Sequence, residues 1–285
     1  MESVTTETLR CILLATDLSA RCDRAQDRAV RLAREHGAKL VAVCVIENSL
    51  GDVLTARRSQ VVDRKAAERR FRASLGDIDI PVELVLEPGH AVEVIRKTAA
   101  AHLCDLIVTG VARDETLGRL LLGTTVEKLA REVSLPILVV RERPHHSYRD
   151  LLAAVDFSEG SRQALTTALA LFPEARPLLY HAFTTSKTRP EAAAVEQARQ
   201  AAENEVAAFM KQNAMLLNRP DIEWKIEHGL PEDVLPDYVA RHPTELLVVG
   251  THGRTGILRT AIGSVAEQLI QHTPCDVLIV RQQEP

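Results

Sequence analysis

The stretch Val248–Arg281, VVGTHGRTGILRTAIGSVAEQLIQHTPCDVLIVR, reads as a strand, a glycine-bearing turn, an excursion, a helix start and a second strand. The apolar run Leu246–Val249 halts at Gly250, and glycines follow at Gly253 and Gly263, the last directly before Ser264. Glycine lets backbone N–H groups close on a ligand where a Cβ would obstruct. A helix N-terminus adds unpaired N–H donors and partial positive charge, so the two together suit a phosphate. The same residues also have a purely structural reading. Gly250 can be a turn residue, and Ser264-Val265-Ala266-Glu267 is a capping box that needs no ligand. The excursion Gly253–Ile262 carries Arg254 and Arg259 and no acid, which favours an anion.

Working outward, the pattern occurs twice. Ile12–Ser19 (ILLATDLS) recurs as Leu151–Ser158 (LLAAVDFS), and Glu87–Arg141 aligns with Glu227–Arg281 without a gap at a constant offset of 140. A gap-free match over 55 positions marks an internal repeat. The break falls in the polar stretch Glu142–Tyr148, which holds Pro144 and the pair His145-His146. Two domains are therefore expected, residues 1–143 and 149–285, each of ordinary size for one core.

Each half alternates short apolar runs with helix-length segments. The expected strands are Cys11–Thr16, Leu40–Ile46, Val82–Leu86, Leu106–Thr109 and Ile137–Val140, then Leu151–Val155, Pro177–His181, Ile222–Ile226, Leu246–Val249 and Val277–Val280. Between them lie Ala20–Glu35, Val53–Leu75, Ala91–His102 and Thr124–Val133, and in the second half the long helix former Glu191–Leu217. This predicts an α/β fold: two tandem, doubly wound, five-stranded parallel sheets covered on both faces. Pro236 stands where the first half has Arg96, so a late start or a kink is expected in that helix. Ligands of such sheets sit outside the carboxyl ends of the strands, where strand order reverses. Asp17 and Asp156 end the first strand of each half and face that crevice. Each aspartate suits a nucleoside hydrogen bond, and Asp-x-Ser equally suits a helix cap.

Gly250, Gly253, Gly263 and Ser264 satisfy G-x2-G-x9-G-[ST] without a mismatch, and in this the chain resembles the ATP-binding branch of the universal stress protein family. The resemblance covers nearly the full length and implies a Rossmann-like fold of the adenine nucleotide alpha hydrolase type. It implies that these loop glycines and the hydroxyl hold phosphates and ribose. It assigns Asp156 and Asp17 to the nucleoside, and the second-strand ends, Ala182 and Val45, to backbone contacts with adenine. In that family the final strand joins protomers. Here Ile137–Val140 and Val277–Val280 would lie at sheet edges and pair the halves internally as a pseudo-dimer, and a further homodimer of the whole chain is compatible with the sequence.

The halves are not equal. In the first, Gly110, Gly123 and Thr124 keep the motif, but Arg113 replaces the middle glycine. A side chain there costs about 1 kcal/mol or more if the chain needs positive φ, and its Cβ obstructs close approach. The segment Arg113–Leu122 balances two arginines with Asp114 and Glu115, whereas Gly253–Ile262 has a net charge of plus two. The second half is thus the expected ATP site, and the first binds weakly or is structural. A counter-reading has Arg113 itself pair with phosphate.

A net charge of −4 argues against general nucleic-acid binding. No apolar run approaches the roughly 18 residues of a membrane span, and the acidic first residues are no signal peptide, so a cytoplasmic location is expected. Cys11, Cys22, Cys44, Cys104 and Cys275 form no C-x-x-C and read as free thiols of a reducing compartment. No protein metal motif is visible, although ATP could arrive with Mg. Walker, dinucleotide, nucleophile-elbow and kinase signatures are missing. His252 is the one acid/base group near the glycine turn. The leading function is an ATP-binding regulatory or stress-response module. The alternatives are a nucleotide-independent scaffold or small-ligand carrier, and a slow ATPase.

Overall fold

A computed structural model describes residues 9–46, 64–113, 120–121, 124–185, 191–214, 219, 221–251 and 263–282. The first half contributes β1 (Cys11–Ala15), a 3-10 turn and α1 (Asp23–His36), β2 (Lys39–Ile46), α2 (Arg64–Leu75), β3 (Val82–Pro88), α3 (Ala91–Ala101), β4 (Leu106–Gly110), the short β5 (Ala112–Arg113) and β6 (Leu120–Leu121), α4 (Thr124–Glu132) and β7 (Ile137–Val140). The second contributes β8 (Asp150–Ala154), α5 (Glu159–Leu171), β9 (Arg176–Phe183), α6 (Ala192–Gln212), β10 (Glu223–His228), α7 (Pro231–Arg241), β11 (Leu246–Gly250), α8 (Ser264–His272) and β12 (Asp276–Val280). All ten expected strands form. The N-terminal part of the segment expected at Val53–Leu75, and the end of that at Glu191–Leu217, lie outside the described residues.

The ten long strands make one sheet in the order β10-β9-β8-β11-β12-β7-β4-β1-β2-β3. Within each half all pairings are parallel. The halves join where β12 meets β7 antiparallel, with Leu278 opposite Leu138. Final strands that would be free edges of separate sheets thus satisfy each other's backbone groups, leaving β3 and β10 as the outer edges.

Alternation along the strands sends successive side chains to opposite faces. Ile12 and Leu14 pack on the face covered by α1 and α5, with Phe71 of α2 and Phe209 of α6. Cys11 and Leu13 pack on the other face, under α3, α4, α7 and α8. Both faces are covered, so the inner strands can be apolar throughout, as the sequence runs anticipated.

Two local features add to the sequence reading. The helix containing Pro236 does not start late: Pro231 occupies its first turn and the helix runs on through Pro236. The missing N–H there removes the partner of the Glu232 carbonyl without ending the helix. The connector between the halves is not merely a polar tether. Tyr148 is buried, edge-on to Phe172 at 5.0 Å and beneath the Arg28 guanidinium at 3.9 Å. The His146 carbonyl accepts from Arg28 at 3.0 Å and the His145 carbonyl from Arg31 at 3.1 Å.

Candidate functional site

In the second half, strand order reverses between β8 and β11, and a cleft of about 540 Å3 opens at their carboxyl ends. Asp156, Ala182, Gly250, Gly263 and Ser264 all line it. These residues are scattered over more than a hundred positions of sequence, and the fold brings them together at the ends of β8, β9 and β11 and at the start of α8.

The first turn follows β8. Asp156 Oδ1 accepts from the Ser158 amide at 3.1 Å and its hydroxyl at 2.6 Å, and Ser158 Oγ caps α5 by accepting from Ser161 N at 3.2 Å. The serine is the cap and the aspartate holds the serine, so the cap reading of Asp-x-Ser applies to this turn. Between them Phe157 has φ 64, and Leu18 in the first half has φ 59. Left-handed backbone is costly for bulky residues, so the repeated turn is imposed by the fold around it. Phe157 packs against His181 at 4.4 Å between ring centroids, and His181 Nδ1 is 2.7 Å from the Val155 carbonyl oxygen. The second turn follows β9, where Ala182 enters the cleft beside Tyr180, whose phenol donates to Glu227 at 2.9 Å.

The third turn follows β11. A Cβ on Gly250 would lie 2.9 Å from the backbone carbon and oxygen of Gly160, so this glycine is required for α5 to start beside the strand. Its counterpart Gly110 has only ordinary contacts, the nearest 3.6 Å from the Arg21 carbonyl oxygen. The excursion returns at Gly263, whose N–H donates to the Thr251 carbonyl at 2.8 Å.

The capping box expected at Ser264–Glu267 does not form. Gly263 is the cap residue of α8, no side chain bonds the cap, and Ser264 is already the first helical residue. With Gly263 at the cap position, Ser264 falls one place inward and is exposed on the cleft. The first turn of α8 therefore presents orphan N–H groups and a hydroxyl to the cleft.

Asp156 and Glu232 put two carboxyl groups on the cleft, and the described lining contains no lysine or arginine. Positive charge for an anion would come from the α8 N-terminus and from the excursion. Gly253, Arg254, Arg259 and His252 lie outside the described residues. Tyr180, His181, Glu232 and Thr251 line the cleft without having been singled out from sequence. Adjacency to Ala182 would have pointed to the first two, and adjacency to Gly250 to Thr251. Among the described residues no cluster of three or more His, Cys, Asp or Glu is placed to hold a metal ion.

In the first half Asp17, Val45 and Gly110 close their strands in the equivalent places, and Thr124 opens α4. Asp17 Oδ1 accepts from Ser19 N at 2.9 Å and from the Cys22 thiol at 3.2 Å. Burial alone would raise its pKa, but these hydrogen bonds outweigh it and hold the carboxyl below its usual range. Gly123 lies outside the described residues. The expected strain at Arg113 does not arise, because Arg113 is extended in β5 and pairs antiparallel with Leu120 of β6. In place of the second half's glycine excursion, β5 and β6 pair here as a short antiparallel ladder, and β6 lies beside α8 of the other half.

The universal stress protein family pattern matches residues 8–141 and again 147–281. The chain belongs to the universal stress protein family. Universal stress protein E of Salmonella typhi is 26% identical over 249 residues, covering 82% of this chain and 79% of that protein. Universal stress protein E of Escherichia coli K12 is 45% identical over 56 residues, which is 20% of this chain and 18% of the relative. Among solved structures, a functionally unknown protein of Pseudomonas aeruginosa PAO1 superposes with a TM-score of 0.71 at 19% identity, covering 97% of this chain and 94% of the other. A universal stress protein of Archaeoglobus fulgidus DSM 4304 does so at 0.66 and 16%, covering 96% and 98%. At these identities the structural likeness speaks for the fold. The two family matches make this a tandem universal stress protein, and among its described residues no helix is long and apolar enough to cross a membrane.

Proposed function

We propose that this universal stress protein is an ATP-binding regulatory module that takes one adenine nucleotide in the cleft of its second half. The observation that carries the reading is that Asp156, Ala182, Gly250, Gly263 and Ser264 line one cleft at the uncapped start of α8. Amides without intrahelical partners are the usual seat of a phosphate. Asp156, its Oδ1 set by Ser158, offers an acceptor for ribose or base. Leu230, Leu235 and Val265 give apolar flanks for adenine. Arg254 and Arg259, which lie outside the described residues, are the proposed charge partners of the phosphates, and any Mg would travel with the nucleotide rather than on protein ligands.

The first half is expected to be structural, since its excursion is a hairpin beside α8. A regulatory role requires that bound and free states differ in their contacts with a partner. The family and the sequence favour the cytoplasm as its place of action. Denaturing the purified protein and recording the released nucleotide tests this reading. Adenine absorbance from about one nucleotide per chain is expected. A chain that copurifies with none, and takes up none when ATP is supplied, would instead be a nucleotide-independent scaffold.

A further inference from the structure

At the opposite end of the sheet from the clefts, Cys11 opens β1 and Cys104 stands just before β4. Their sulfurs are 2.9 Å apart, although 93 residues separate them in sequence. Three hydrogen bonds hold the two segments in place. Asp105 Oδ2 accepts from Arg10 N at 2.7 Å and Cys11 N at 3.0 Å, and Asp105 N donates to the Cys11 carbonyl at 2.8 Å. The second half has the same clamp: Glu245 Oε2 accepts from Arg149 N at 2.6 Å and Asp150 N at 3.3 Å, and Glu245 N donates to the Asp150 carbonyl at 3.0 Å. There the sulfur positions are filled by Asp150 and Thr244. The pairing of thiols is thus an addition to a shared framework, present in one half only.

We propose that Cys11 and Cys104 form a redox site, oxidised by a small hydroperoxide to a disulfide that ties the entry of β1 to the entry of β4. Sulfurs in a disulfide are about 2.05 Å apart, so closing the bond needs a shift of under an ångström, within a frame that already holds both chains. The two sulfurs share one hydrogen bond in which either can donate. With Cys104 as donor and Lys39 nearby, the Cys11 thiol is lowered below its ordinary range against burial and the Asp105 and Glu83 charges, and the Cys104 thiol is raised. Cys11 takes the attacking role in the proposed step and Cys104 the resolving one, an order that the C104S and C11S variants test. The Cys11 thiolate attacks the peroxide, the O–O bond breaks, and sulfenic acid and hydroxide result. The Cys104 sulfur then displaces the hydroxyl from Cys11, its proton leaves in water, and the S–S bond forms. Both cysteines are buried, and their chain neighbours Arg10 and Leu103 are exposed. A dithiol reductant reverses the step.

The other cysteines serve as internal controls. Burial pushes the Cys275 thiol up to about 12, and burial likewise raises Cys22 and Cys44. The test is hydrogen peroxide treatment of the full chain, followed by quenching, unfolding with an alkylating agent and peptide mapping without reductant. Wild-type protein should yield a Cys11–Cys104 linked peptide as the main product, with Cys11 lost about tenfold faster than Cys275. C104S should trap Cys11 as a sulfenic acid, captured by dimedone, and C11S should give no link. Oxidised wild-type chain should also unfold at higher urea than reduced chain, because the bridge closes a long loop. The proposal is overturned if Cys11 and Cys104 stay alkylatable while Cys22 and Cys44 oxidise, or if the links are scrambled among the five. The wild-type map decides even if a variant fails to fold.

Discussion

The phenol of Tyr148 donates to Asp276 Oδ2 at 2.5 Å, joining the connector to the first residue of β12. Asp276 is fully buried, and its other oxygen accepts from Arg141 N at 2.7 Å and Glu142 N at 2.9 Å, while Arg28 Nε lies 3.5 Å away. Its counterpart in the first half is Pro136. One carboxylate of the second half thus fixes the end of β7, the connector and α1 of the first. Removing it should loosen the seam. D276A leaves Arg28 and Arg141 buried without their anion and should lose about 3–5 kcal/mol. Y148F, which deletes one hydrogen bond to that carboxylate, should lose about 1.5–3 kcal/mol. Urea unfolding followed by circular dichroism measures both.

The same tyrosine sets an alkaline limit. Burial, then the facing Asp276 charge, pushes the Tyr148 phenol well above its ordinary range, and burial with the Glu227 hydrogen bond does the same to Tyr180. A phenol whose folded pKa is raised contributes stability that is fully present below about pH 10, the unfolded value, and is lost as the pH rises beyond it. Stability should therefore fall more steeply above that pH in wild type than in Y148F. Equal alkaline slopes for the two proteins would contradict the assignment.

Gly250 and Gly110 occupy matching places yet should respond differently. G250A drives a Cβ into the Gly160 backbone and should cost about 1–3 kcal/mol. G110A meets only ordinary contacts and should stay within about 0.5 kcal/mol of wild type. Thermal unfolding of the two variants side by side reads the contrast.

Leu18 and Phe157 share a left-handed backbone but not a neighbourhood. L18G relieves about 1 kcal/mol of strain and adds back about 0.5–1 in chain entropy, so it should be near neutral. F157G gains the same relief but loses ring packing against His181 and Phe209, and should be destabilised by about 2–4 kcal/mol. Denaturant midpoints should separate the pair.

Much of the fold was legible because it depends on local pattern. Continuous apolar runs such as Leu246–Val249 announced buried parallel strands, and the repeat at an offset of 140 announced two halves. Features that depend on remote neighbours were not legible. Nothing around Gly250 in sequence says that Gly160 will lie against it, and nothing near Asp276 names Tyr148 or Arg28. Cys11 and Cys104 are adjacent only through the β1–β4 pairing. At Ser264 the local signal was misleading, because Ser-x-x-Glu fits a capping box while the preceding Gly263 takes the cap itself. Arg113 was read as strained on the premise that its loop keeps the second half's course, and it folds as a hairpin instead.

Ser264 takes no part in capping α8, although it lines the cleft proposed for the nucleotide. Because Ser264 makes no cap bond, S264A should keep wild-type stability, so any change in its binding reports on the ligand. Calorimetric titration of the full chain with ATP and Mg tests this most directly. Wild type should bind at one site per chain, S264A about tenfold more weakly, D156A more weakly still, and D17A as wild type. Absence of heat, or D156A and S264A titrating like wild type, would contradict it.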